Sequence, residues 1–270
     1  MCGIWGIIGA SDLKQKSLLG LANDLFILSE SRGKEASGIA GVLNGKIISH
    51  KQAIPASKLI KTQQYASLIQ KCVSESGRNV ILIGHSRLAT NGSESTNNNN
   101  QPVCINNTAT VHNGIIVNVD ELWESHNELH RTTELDTEIF AKMIEYQYCQ
   151  LNDTIEACKY TYHQIQGMAS TLTIFTDGRL VASTNNGSLY YWRSTNRDLI
   201  IFSSEKHIFH QLFIKNSFVR AHFTLDRIVH INANKAVEVS ANPLKSRRFD
   251  LDSYIIIKYK KKNTKKISNY

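Results

Sequence analysis

Apolar positions along the first 240 residues recur with two different periods, which predict strands at both ends of the chain and helices between them. Cys2 to Gly9 alternates small and apolar residues and reads as a strand. A helix is expected over about 13–30, because Leu18, Leu21, Leu25 and Leu28 share one face. Ser37 to Leu43 and Lys46 to Gln52 read as strands joined by Asn44-Gly45, a two-residue hairpin signal. A second helical stretch is predicted over about 56–73 and a strand over 79–85. The polar run from Arg87 to Gln101, with asparagine at every position from Asn97 to Asn100, reads as a loop. Thr108 to His112 reads as a strand, Asp120 to Leu129 and Thr137 to Cys149 as helices, and Asn152-Asp153 as the cap of a helix reaching about Gln166. The remainder is predicted as strands at 170–176, 179–183, 188–192, 199–203, 218–223, 227–231 and 236–239. The order implies an α+β layered domain with two packed sheets.

At 270 residues and 41% hydrophobic content the chain can build a full core. One domain over 2–240 followed by a basic tail over 241–270 is expected. The net charge of +8 is concentrated in that tail, where nine Lys and Arg face Asp250 and Asp252; the first 240 residues carry 22 basic and 21 acidic side chains. The body therefore lacks the charge of a nucleic-acid-binding surface. For the tail, a solubilising terminus is the commoner meaning, with contact to nucleic acid, an acidic partner or a membrane surface as alternatives. Five cysteines without a CxxC pair do not suggest a disulfide framework and point to a reducing, cytoplasmic setting. No apolar run approaches the roughly 18 residues of a membrane span, and the N-terminus lacks the pattern of a signal peptide.

Candidate chemistry begins at Cys2, directly behind the initiator methionine. Removal of Met1 would give a thiol and a free α-amine on one residue. An α-amine with a pKa near 8 is a competent general base, so nucleophile and base come together. His126 and His130, four apart on a predicted helix, have metal-binding spacing but lack the adjacent glutamate of zinc proteases, and a solvated helix face is the better reading.

Five segments in order carry a family resemblance: Cys2-Gly3-Ile4-Trp5-Gly6, Arg32-Gly33-Lys34-Glu35-Ala36-Ser37-Gly38, Gly84-His85-Ser86-Arg87-Leu88-Ala89-Thr90-Asn91, Val111-His112-Asn113-Gly114-Ile115-Ile116 and Glu134-Leu135-Asp136-Thr137-Glu138. Together they resemble the glutaminase domain of the class II glutamine amidotransferases, a branch of the N-terminal nucleophile hydrolases. The likeness covers about 2–235. It implies a four-layer αββα sandwich of two mainly antiparallel sheets between helical layers. It further implies that Cys2 attacks the side-chain amide of L-glutamine, that Asn113 and Gly114 form the oxyanion hole, and that Arg32 orients the Cys2 end, an ion pair of structural purpose being the other reading of that arginine. Arg87 and Asp136 would hold the α-carboxylate and α-ammonium, with Thr90 and Asn91 supplying polar groups from a closing loop. Helix capping is a second role open to Asp136. No cofactor and no metal is implied, and ammonia would pass to a separate synthase subunit. Leu88, Asn91 and Asn100-Gln101-Pro102 stand where the amino-sugar synthase branch carries Trp, His and a later His. A γ-glutamyl amide hydrolase and a catalytically silent binding subunit are the alternative functions.

Overall fold

The computed structural model describes residues 2–10, 15–74, 79–88 and 96–252. In chain order the described elements are β1 (Gly3–Ala10), α1 (Gln15–Ser29), β2 (Ala36–Leu43), β3 (Lys46–Gln52), α2 (Ala56–Leu59), α3 (Gln63–Ser74), β4 (Asn79–Arg87), β5 (Val103–Cys104), β6 (Thr108–Ile116), α4 (Val119–Ser125), α5 (Asp136–Leu151) and α6 (Thr154–Gln164). The second half adds β7 (Gly167–Phe175), β8 (Arg179–Thr184), β9 (Leu189–Arg193), β10 (Leu199–Ser203), α7 (Lys206–Lys215), α8 (Ser217–His222), β11 (Ile228–Ile231), β12 (Lys235–Ala241) and β13 (Leu244–Asp250). A seven-stranded sheet runs β11-β9-β10-β1-β4-β2-β3 and a six-stranded sheet runs β13-β12-β8-β7-β6-β5. The paired strands are antiparallel throughout.

Strand alternation explains the layers, since successive side chains point to opposite faces. Along β1, Ile4 and Ile8 pack between the sheets with Val111, Leu172 and Val237 of the second sheet. Trp5 and Ile7 point the other way, into a cluster with Leu21, Leu25 and Phe26 of α1, Ile69 of α3 and Phe209 of α7. The second sheet repeats the arrangement: its outer face packs Phe175 and Val181 against Phe140 and Ile144 of α5 and Cys158 of α6. The result is the four-layer αββα sandwich, helices outside and two sheets within.

Asn44 and Gly45 take the left-handed conformations that a two-residue hairpin requires, with φ of 50° and 71°. Asp153 caps α6, its side chain accepting from the N–H groups of Ile155 and Glu156.

Several expectations need correction. The helix predicted over 56–73 is two helices, because the Thr62 hydroxyl bonds back to the Leu59 carbonyl and accepts from Tyr65 N–H, starting α3 afresh. Residues 218–222 are helical rather than extended, Phe223 alone of the predicted strand keeping extended backbone: the Asn216 side chain accepts from Val219 N–H and caps α8. Helix α7, not anticipated, buries Ile208, Phe209 and Leu212. The helix expected to Leu129 stops at Ser125, so His126 lies just past its end, and the ring bonds to the Leu122 carbonyl and the Tyr160 hydroxyl. The tail does not begin at 241: β12 runs to Ala241 and β13 pairs with it over Leu244–Asp250. Only Phe249 of β13 is buried, which is why an edge strand resembles a basic tail in sequence.

Gly84 shows how tightly β4 lies under β1. A Cβ there would fall 2.1 Å from the Trp5 ring. Gly84→Ala is expected to destabilise the fold by about 1–3 kcal/mol, the usual penalty of overpacking, read as a lower urea midpoint at unchanged slope.

Candidate active site

The same alternation that builds the core also aims the candidate residues. Cys2 has the parity of Ile4 and Ile8, Arg87 that of Ile81 and Ile83, and Asn113 that of Ala109 and Val111, so all three belong to the inward faces at one end of the sandwich. There the Cys2 nitrogen donates to Asn113 Oδ1 at 2.9 Å, across 111 residues of sequence and between the two sheets. The Cys2 thiol lies 3.6 Å from the Leu88 carbonyl oxygen. Asn113 and Gly114 lie within β6. A Cβ on Gly114 would sit 1.9 Å from the Met168 carbonyl and 2.6 Å from the His112 ring, so only glycine fits.

Arg87 ends β4, is 3% exposed and donates from Nη1 to Asn100 Oδ1 at 2.7 Å. Asp136 opens α5 without capping it. Its Oδ2 accepts from Ile116 N–H at 2.9 Å, and Oδ1 lies 3.8 Å from His112 Nδ1. Arg32 pairs with Glu205 at 3.0 Å. The neighbouring Ser204 is fastened to β1 in both directions, its N–H to the Ile4 carbonyl and its hydroxyl accepting from Ile4 N–H. Thr90 and Asn91 lie outside the described residues. Among the described residues no cluster of His, Cys, Asp and Glu has the arrangement of a metal site.

Burial pushes the Cys2 thiol up from its ordinary value, and nearby Asp136 adds to this, while the Leu88 backbone and the Arg87 charge oppose it. For Asp136 burial also acts upward, but hydrogen bonds from His112, Ile116 and Thr137 outweigh it and hold the carboxyl below the usual value. His85 is fully buried and pushed down to about 3 by burial, with the Arg87 and His112 charges acting the same way, so its ring is neutral at physiological pH.

The sequence reading missed the support that holds these groups. Lys51 Nζ donates to the Asn100 and Pro102 carbonyls at 2.6 and 3.2 Å. Gln101 accepts from His112 N–H at 2.6 Å and donates to the Thr137 hydroxyl at 3.1 Å. Asn99 exchanges hydrogen bonds with Glu134, two residues before Asp136. The segment 99–102 thus ties Arg87, β6 and the start of α5 together. Gly38 lets it approach, since a Cβ there would lie 2.3 Å from the Gln101 carbonyl, and Gly33 does the same for the backbone of Arg87, 2.1 Å away. Both glycines are packing residues. The asparagine run hid this segment, which looks like a solvated loop, although Asn100 is fully buried.

Residues 85–211 match the family described as glutamine amidotransferase domain. The chain is 28% identical over 214 residues to the glutamine--fructose-6-phosphate aminotransferase (isomerizing) of Chlamydia trachomatis, covering 77% of this chain and 32% of that protein. It is 32% identical over 193 residues to the protein of the same name from Bradyrhizobium diazoefficiens, covering 69% and 29%. The chain spans about a third of the length of these relatives. Among solved structures, glutamine phosphoribosylpyrophosphate amidotransferase from B. subtilis, complexed with ADP and GMP, superposes with a TM-score of 0.63 at 21% identity, over 92% of this chain and 49% of that one. With the sandwich and the five motifs, these findings define the class: the chain carries a class II glutamine amidotransferase domain with the N-terminal nucleophile hydrolase fold.

The depressed Asp136 carboxyl stabilises the fold above the ordinary carboxylate range, and that contribution is lost as pH falls through the lowered folded value. Asp136→Asn is therefore expected to be less stable than the parent by about 1–3 kcal/mol at neutral pH, with the gap closing below about pH 4. Urea titrations at pH 7 and pH 3 measure the difference.

Proposed function

We propose that this domain hydrolyses the side-chain amide of L-glutamine to glutamate and ammonia, and that it serves an ammonia-consuming synthase site. The observation that carries the reading is the 2.9 Å bond from the Cys2 nitrogen to Asn113 Oδ1. It sets the thiol-bearing residue beside an amide whose other end, Nδ2, is a hydrogen-bond donor. Once Met1 is removed, the Cys2 amine takes the thiol proton, directly or through water, and the thiolate attacks the amide carbon. Asn113 Nδ2 and the Gly114 N–H stabilise the tetrahedral oxyanion. Ammonia departs with a proton returned by the amine, and water then hydrolyses the γ-glutamyl thioester.

Arg87 is the bidentate donor for the glutamine α-carboxylate. Its position is supported by Asn100, which engages one guanidinium nitrogen. Asp136 receives the α-ammonium; its lowered pKa supports that role by keeping the carboxylate charged. Thr90 and Asn91 add polar contacts. Arg32 acts through Glu205 as a positioning residue for the end of β1. Bulk water would protonate free ammonia, which favours transfer to a shielded acceptor site.

Incubation with a glutamine-mimicking diazo-ketone, followed by intact mass, tests this reading. A chain lacking Met1 and carrying one adduct, with no adduct on Cys2→Ala, is the expected result; a retained Met1 with no adduct would sink it. Asn113→Ala should lower kcat for glutamine by about 10²–10³-fold, the usual effect of deleting one oxyanion donor, with KM changed much less.

A further inference from the structure

One ammonium grips the main chain on both sides of Gln101. Lys51 lies opposite Gly38 in the pairing of β2 with β3, and Gly38 has the parity of Ala40 and Val42, which pack between the sheets. The Lys51 stem therefore projects inward, across a surface kept low by glycine: a Cβ on Gly38 would lie 2.6 Å from the Lys51 Cβ and 2.3 Å from the Gln101 carbonyl. Its Nζ donates to the Asn100 carbonyl at 2.6 Å and to the Pro102 carbonyl at 3.2 Å. The side chain is half-buried, and desolvation pushes its pKa down from the ordinary lysine value.

The gripped segment sends two side chains toward the site, and they answer to different anchors. Gln101 is tied by both ends of its amide, accepting from His112 N–H and donating to the Thr137 hydroxyl. Asn100 accepts from Arg87 Nη1 at 2.7 Å through Oδ1, and its own carbonyl is the nearer of the two Lys51 contacts. Lys51 thus fixes the residue whose side chain aims Arg87. Asp136 is held separately, by Ile116 N–H, and Cys2 by its bond to Asn113.

We propose that Lys51 is a positioning residue for substrate recognition: it fixes Asn100 so that Arg87 meets the α-carboxylate of glutamine. The inference rests on the glutaminase reading and extends it to a residue that acts only through others. Two parallel bonds to a carboxylate require a guanidinium in one orientation, and an asparagine on a loosened backbone no longer imposes it. Loss of the ammonium leaves Gln101 holding the middle of the segment, so the chain keeps its path while Asn100 is freed. Binding of the α-carboxylate weakens, and the chemistry at Cys2 is left in place.

The test compares the full chain with Lys51→Met, which keeps the stem and removes the charge, and with Lys51→Arg, which keeps a cationic donor. Each is assayed on L-glutamine and on 4-aminobutanamide, the same amide without the α-carboxylate. Lys51→Met should raise KM for glutamine about tenfold, the weight of one charge-assisted contact, with kcat changed much less and kcat/KM for 4-aminobutanamide as in the parent. Lys51→Arg should restore much of the glutamine affinity. Side-chain NMR supplies a readout free of turnover: the Arg87 Nη protons should rotate slowly in the parent and average in Lys51→Met. An unchanged glutamine KM in Lys51→Met, an equal loss on 4-aminobutanamide, or unchanged Arg87 signals would each overturn the proposal. A parent inactive on glutamine sinks the glutaminase reading instead, and the Arg87 signals then decide the role of Lys51.

Discussion

The hydrogen bond between the Cys2 nitrogen and Asn113 Oδ1 joins two sheets whose strands lie 111 residues apart, and it exists only because both sheets keep their register. β1 is fixed on both sides, by β10 and β4, and β6 is zipped to β7 over nine residues. A one-residue slip in either strand would turn its inward residues outward. Ile4 and Ile8 on one strand and Ala109 and Val111 on the other are therefore more than core residues. Their burial specifies which way Cys2 and Asn113 point, so the hydrophobic term that stabilises the fold also sets the geometry of the site.

Burial and hydrogen bonds together set the charge of the titratable groups in that site. Asp136 is pulled toward its ionised form by hydrogen bonds, while His85, fully buried beside Arg87, is pulled toward neutrality. A charged His85 would add a second cation beside Arg87. Its neutrality leaves that position without a second positive charge next to the guanidinium. Asn100 then matters because the guanidinium must be aimed, and its side-chain oxygen accepts from one of the guanidinium nitrogens.

The proposed site residues stood out because each residue type suits a particular task, Cys2 at the chain start, Asn113-Gly114, Arg87 and Asp136, and the structure brings Cys2 and Asn113 together across the two sheets. The two-layer sheet arrangement was equally legible from alternation. What stayed hidden were elements whose sequence signals conflict with their role. Asn97 to Asn100 reads as solvent-facing loop, yet Asn99 and Asn100 are buried and bonded. β13 carries Lys245, Arg247 and Arg248 and reads as a tail, because an edge strand that buries only Phe249 lacks the alternation by which strands are recognised. Residues 218–223 alternate well enough for a strand, but one side-chain cap from Asn216 starts a helix instead. In each case a tertiary or capping contact outweighs the local pattern, which no window of sequence contains.

The polar end of the sandwich has a structural cost that the fold meets locally. Beyond Leu172 and Ala182 the inward positions of β7 and β8 become Ser170 and Thr184, and apolar packing between the sheets gives way to buried hydroxyls. Buried polar groups destabilise unless bonded. Here Ser170 and Thr184 lie 2.7 Å apart, and both meet Asn186 Oδ1, at 2.8 and 2.9 Å. That network satisfies the buried hydroxyls on the two strands that follow Asn113 across the sheet. A rim relieved of apolar packing in this way is where side chains are free to face a ligand rather than one another.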